Sequence, residues 1–275
     1  MVAGTLPPRV NSFGCTLALN AYSFNAPLLA GEMTLDELFR FARETGFSAV
    51  DLTAYYIQGY PEVPPDKLLF AIRKSAFKLG LAISGTGVRN DFTSDDPGVR
   101  QEQIKLVKAW IVAASKMGAP HVRVFAGRAS GTEAPGEEVK SRIIGAMQEC
   151  ADFAAGFGVM VAFQNHYDFI QSNEEILEIL HGVHSEWFGL MLDTGSVDEP
   201  DPYSGIEELI PYAITWQVKE QVRSGNGNSP TDFERLMKMV REQGYRGYFP
   251  LETLGEGDPF QKVRKLYSQV SALLG

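Results

Sequence analysis

TLDELFRFARETGFSAVDL, residues Thr34 to Leu52, holds one complete passage from helix to strand, and its reading decides the fold. Leu35, Leu38, Phe39 and Ala42 fall at helical spacing, so one stripe of the segment is apolar. Thr34 and Glu37 form a capping box, in which each side chain accepts a backbone N–H that no earlier carbonyl can reach. Gly46 ends the helix, because glycine takes up the left-handed C-terminal cap without a Cβ clash. Phe47–Leu52 then reads as a short strand.

Working outward, the same alternation recurs. Phe13–Leu19 is an apolar strand upstream. Downstream, helix Asp66–Leu79 leads to strand Leu81–Ser84, and helix Val99–Met117 to strand His121–Phe125. Helix Glu137–Phe157 leads to strand Val159–Gln164, and helix Asn173–His181, with Asn173 as its cap, to strand Trp187–Leu192. Helix Gly205–Ile210, strand Ala213–Lys219, helix Thr231–Gln243, strand Gly247–Glu252 and helix Asp258–Leu274 complete the chain. The strands are short and mostly apolar, as in a parallel sheet buried on both faces. Eight strand–helix units with no second composition regime favour closure. The expected fold is α/β: a single (β/α)8 TIM barrel, with a closed parallel sheet of eight strands. One domain is expected over residues 1–275, with 1–12 as an N-terminal arm.

Composition narrows the function. At 275 residues and 44% hydrophobic, the chain suits one large α/β domain. A net charge of −9 disfavours nucleic acid, whose phosphate backbone calls for clustered cations, though a few cations suffice for one phosphate on a small substrate. No run approaches the roughly 20 apolar residues of a membrane-spanning helix. Cys15 and Cys150 lie far apart with no metal-ligand spacing and read as buried thiols. Residues 1–11 hold no apolar signal-peptide core, so a cytoplasmic location is the default, and a periplasmic or secreted one applies if a leader was trimmed. A homo-oligomer stays open.

In such a barrel chemistry sits at the carboxyl ends of the strands. Gln164, Asp193, Gln217 and Glu252 each end or interrupt an apolar run (VMVAFQ, FGLMLD, AITWQ, YFPLE) where a purely structural strand carries Val or Ile. They come from four successive strands and so can converge on the mouth. The competing structural role is that Asp193 and Glu252 cap helices or pair with Lys219 and arginines. His166 and Lys219 lie two residues beyond Gln164 and Gln217, and share their inward faces. His121, His181 and His184 sit at a strand start or helix ends and read as structural. Asn20, Tyr22, Arg89, Arg123, Asn165 and Trp216 are the candidate substrate contacts. Gly85-Thr-Gly-Val-Arg-Asn lacks the third glycine of a dinucleotide loop and reads instead as a loop turning closely over the mouth.

At LALNAYSF, FSAVDLTAYY, GAPHVRVFAG, VAFQNH, GLMLDTGS, ITWQVKE and GYFPLETLGEGDP the chain resembles the xylose-isomerase-like sugar isomerase/epimerase superfamily, over nearly its whole length. The resemblance implies one divalent cation held by Glu, Asp, His and Glu at strands five to eight. Those positions are Gln164, Asp193, Gln217 and Glu252 here, so two usual ligands are replaced by amides. A retained site favours Mn2+ or Mg2+ over Zn2+, because amide oxygen is a neutral, hard donor. Alternatively, Lys219 supplies the positive charge. The resemblance also implies proton abstraction next to the carbonyl of a small keto-sugar, through an enediolate. Gln164 cannot accept that proton, which leaves Glu252 as base and His166 as partner acid. A lyase on the same site and a non-catalytic sugar-binding barrel are the alternatives.

Overall fold

The computed structural model describes residues 14–128, 136–166, 169–170, 172–224 and 227–274. The expected N-terminal arm and Phe13 lie outside the described residues. Eight parallel strands close into a barrel: β1 (Thr16–Asn20), β2 (Ala49–Asp51), β3 (Ala82–Gly87), β4 (His121–Val124), β5 (Met160–Gln164), β6 (Phe188–Asp193), β7 (Ala213–Lys219) and β10 (Tyr248–Glu252). Their order follows the chain, and β10 pairs with β1 to close the ring. β8 (Gln221–Ser224) and β9 (Gly227–Pro230) form a separate antiparallel ribbon beyond β7, which the sequence reading did not anticipate.

Helices α2 (Leu35–Thr45), α3 (Asp66–Lys78), α4 (Pro97–Met117), α5 (Glu137–Ala155), α6 (Asn173–Gly182), α7 (Pro202–Leu209), α8 (Phe233–Glu242) and α9 (Pro259–Ser271) follow the strands in turn, and a short α1 (Asn25–Leu29) follows β1. The capping box of α2 is present, and Gly46 closes that helix at φ 110°. The largest fully buried side chains include Trp110, Trp216, Phe39, Phe163 and Phe249. Cys15 and Cys150 are buried free thiols, and burial pushes them up to about 11 and about 12. No helix among the described residues is long and apolar enough to cross a membrane.

Several boundaries differ from the sequence reading, three of them for a plain local reason. Ser172 caps α6 with Glu175, while Asn173 is the first helical residue and donates to Gly205 O and Glu208. α7 begins at Pro202 behind an Asp201 cap, since proline suits a first turn that needs no N–H. β3 runs on through Gly87, so Gly85 and Gly87 belong to the barrel wall and not to a loop over the mouth. A Cβ on Gly85 would stand 2.1 Å from His121 Nε2, and one on Gly87 would stand 2.9 Å from Arg123 Cζ. The two glycines give their volume to side chains of the neighbouring strand.

Candidate active site

Strand register sets the site. Asn20 lies level with Asp51, Gly87 with Arg123, Asp193 with Gln217, and Glu252 with Lys219. With a side-chain period of two, the last inward residues of most strands form one polar layer. They border a cavity of about 380 Å³, whose lining includes Asn20, Tyr22, Asp51, Arg123, Lys219 and Glu252.

Glu252 is one of the acids of this layer. It is 2% exposed, and its Oε2 accepts a 2.7 Å hydrogen bond from Gln217 Nε2. Burial pushes its carboxyl up to about 7. The Lys219 charge pulls the other way, Asp193 adds to the rise, and the Gln217 hydrogen bond and Arg123 moderate it. Lys219 Nζ lies 2.8 Å from Asp193 Oδ2 and 3.7 Å from Glu252 Oε1. Burial alone would favour neutral lysine, but the two carboxylates overcome it and hold the ammonium charged.

Asp193 is fully buried directly behind the cavity wall. Its Oδ2 accepts from Gln164 Nε2 at 2.7 Å as well as from Lys219, and its Oδ1 accepts from Gly195 N at 2.9 Å. The lysine reaches it across Gly195, where a Cβ would stand 2.5 Å from Lys219 Cδ. Asp193 and Glu252 thus both pair with Lys219, the structural role that the sequence left open for them.

Across the mouth, Arg123 Nη1 donates to Val88 O at 2.6 Å and Nη2 to Tyr55 Oη at 2.7 Å. Its guanidinium stacks 4.0 Å from the Phe125 ring centroid. Asn90 and the Phe125 backbone exchange two hydrogen bonds of 2.8 and 2.9 Å, joining the loops after β3 and β4. Exposed Arg89 lies over Tyr55 at 4.9 Å, and the His166 ring packs edge-on to Phe125 at 4.8 Å.

Of the residues singled out from sequence, Asn20, Tyr22, Arg89, Arg123, Gln164, His166, Gln217, Lys219 and Glu252 border the cavity. Two do not. Trp216 points to the other face of β7 and packs against Tyr245 and Phe249, because it is one residue out of phase with Gln217. Asn165 likewise turns away from the mouth. Its Oδ1 accepts Asp193 N at 2.7 Å and its Nδ2 donates to Asp193 O at 3.1 Å, so it fixes the backbone of a site residue. His121 begins β4, as expected, and is buried 3.4 Å from Asp51 Oδ2.

Several further cavity residues, among them Asp51, Arg128 and Gln103, were not chosen from sequence. Asp51 interrupts the apolar run FSAV as the four chosen residues interrupt theirs, so its signal was present. Arg128 and Gln103 carried none; Gln103 reaches in from α4 and accepts from Asp91 N.

The four positions matching the superfamily's metal ligands do come together, but these residues do not fit a divalent ion. The carboxamide nitrogens of Gln164 and Gln217 donate to Asp193 and Glu252, and an ammonium already contacts both carboxylates. Among the described residues, no group of three or more His, Cys, Asp or Glu side chains is placed to hold a metal.

A family profile described as xylose isomerase-like TIM barrel matches residues 39–270. An L-ribulose-5-phosphate 3-epimerase of Escherichia coli (strain SMS-3-5 / SECEC) is 24% identical over 272 residues, covering 90% of this chain and 93% of its own. A solved L-ribulose 3-epimerase superposes with a TM-score of 0.78 at 17% identity, over 94% of both chains. A D-psicose 3-epimerase solved in the presence of D-fructose gives 0.76 at 15% identity, over 94% of this chain and 99% of that one.

Proposed function

Because the chain belongs to the xylose isomerase-like TIM barrel family, we propose that it is a sugar isomerase or epimerase acting on a small ketose or ketose derivative. Glu252 carries the reading: it is a buried carboxyl facing the cavity, raised to about 7, with a cation beside it. Such a group is partly ionised at neutral pH and basic enough to take a proton from carbon next to a carbonyl. In the step proposed, the Glu252 carboxylate removes that proton and becomes the acid, while the C–H electron pair moves toward the carbonyl oxygen. The resulting enediolate is stabilised by the Lys219 ammonium, which needs no reorientation to meet the charge. Returned by Glu252 to the neighbouring carbon on its own face, the proton gives the isomer; a proton given by His166 from the opposite face to the carbon that lost one gives the epimer, after which Glu252 releases its proton to water and His166 regains one. Asn20, Tyr22, Arg89 and Arg123 are the proposed contacts to the rest of the sugar.

The test is hydrogen exchange in D2O, followed by proton NMR, with D-fructose, L-ribulose and L-ribulose 5-phosphate as probes. Deuterium is expected next to the carbonyl of at least one probe, with the exchange lost in Glu252→Gln. Exchange that survives Glu252→Gln removes the base assignment, and saturable sugar binding without exchange removes the catalytic reading. One observation supports a second reaction, elimination: Gln164 stands where a mirrored second carboxylate would stand, and elimination needs a base and an acid but no such pair. An unsaturated product of lower mass marks the lyase.

A further inference from the structure

We infer that the Lys219 ammonium replaces the divalent cation of this site, so that the barrel does its chemistry without a metal ion; the catalytic half of this statement rests on the function proposed above. The ammonium is positioned as a built feature of the wall. It stands 2.8 Å from Asp193 Oδ2 and 3.7 Å from Glu252 Oε1, the two carboxylates left in the four-position set.

The other two positions reinforce the exchange. Glutamine at 164 and 217 brings N–H donors, which ion-pair-like carboxylates accept and a metal ion does not. Asp193 therefore receives Gln164, Lys219 and the Gly195 N–H together, and Glu252 receives Gln217. Turning those oxygens to a cation would break each of these hydrogen bonds and bring two positive centres together.

The path of the lysine is a further, independent sign. Its alkyl chain crosses Gly195 so closely that a Cβ there would stand 2.5 Å from Cδ. Its backbone N–H donates to Thr194 Oγ1 at 3.0 Å, which fixes the point from which the side chain departs. An ammonium has three N–H groups. Asp193 and Glu252 take two directions, and the third is left for the cavity that Lys219 borders, where a substrate oxygen can accept it.

The experiment reads metal binding with no substrate present. Protein stripped with EDTA and exchanged into chelator-free buffer is titrated with Mn2+, and the electron paramagnetic resonance of the free aquo ion is recorded. For the wild type the signal is expected to grow from the first addition, with no saturable loss. A silent equivalent of Mn2+ that reappears in Asp193→Ala would overturn the inference. The combined variant Gln164→Glu, Gln217→His, Lys219→Met is expected to silence one equivalent. If it keeps the native circular dichroism spectrum and binds no more Mn2+ than wild type, Lys219 does not stand in a metal's place; if it fails to fold, the wild-type titration decides alone. Deuterium exchange of an active probe is expected to persist in EDTA, and its loss there overturns the metal-free chemistry. Absence of exchange with every probe, with or without Mn2+, counts against the proposed function and leaves the titration result standing.

Discussion

Lys219 and Asp193 meet at 2.8 Å in the wall of the barrel, and both charges act on Glu252, whose carboxyl is raised chiefly by burial. The lysine lowers the Glu252 carboxyl and the aspartate raises it, so their contact tunes the residue on which turnover is proposed to depend.

Glu252 must be ionised to accept a proton. With its carboxyl raised to about 7, kcat/KM for hydrogen exchange is expected to climb with pH through that value and level above it. Glu252→Gln is expected to lose about 10²–10⁴-fold in rate above that pH, as is usual when a general base is removed, and less below it, where the wild-type carboxyl is protonated. Lys219→Met removes a charge that pulls the carboxyl down, so the midpoint of its residual activity is expected to move to higher pH. A pH–rate profile for each protein is the check, and an unshifted midpoint would show that the lysine does not act on Glu252.

Removing Asp193 leaves a partly buried ammonium whose remaining carboxylate is 3.7 Å away. Asp193→Ala is expected to cost about 3–5 kcal/mol of folding stability, the range for breaking a buried ion pair from one side. Urea unfolding followed by circular dichroism measures it. The double variant Asp193→Ala, Lys219→Met, which removes the stranded charge, is expected to recover part of the loss.

Gly195→Ala tests the route of the lysine. The new methyl would stand 2.5 Å from Lys219 Cδ and push the ammonium off its partners. A misplacement of about 1 Å at a reacting site can lower the rate about 10²-fold, and that is the expected fall in kcat. The pH midpoint should rise, as in Lys219→Met.

Arg89 offers an exposed guanidinium at the rim, stacked on Tyr55. If it holds an anionic end of the substrate, Arg89→Ala should raise KM for L-ribulose 5-phosphate about tenfold, the equivalent of one charge-assisted hydrogen bond. KM for unphosphorylated L-ribulose should stay as it was. Equal changes for both sugars would assign Arg89 to the sugar hydroxyls or to the Tyr55 packing.

The barrel was legible because each unit carries its own punctuation: a cap such as Thr34, an apolar stripe, a stop such as Gly46 and a short apolar strand. Much of the site was legible for a related reason, since a polar residue ending a buried strand has few places to go but the mouth. Strand parity refined that rule, and Trp216 and Asn165 fail it as immediate neighbours of inward-facing Gln217 and Gln164. Asp51 satisfied it. What no local pattern could show is a shared volume between strands. The glycines of β3 read as loop residues until Arg123 and His121 were seen lying over them. The direction of the two glutamine amides was equally hidden, because it depends on where a lysine from β7 comes to rest.

That shared volume has a bearing on inheritance. Position 85 and position 121 draw on one small space, as do 87 and 123. A lineage of this chain that acquires a methyl group at 85 must give up the imidazole at 121 in the same stretch of its history, or pass through an ancestor with an overfilled barrel. Overfilling of this kind costs about 1–3 kcal/mol. Members of such a lineage would therefore divide into those with glycine beside a large residue and those with a larger residue beside a small one. The partner of each glycine is to be sought on the adjacent strand, some 36 positions further along the sequence.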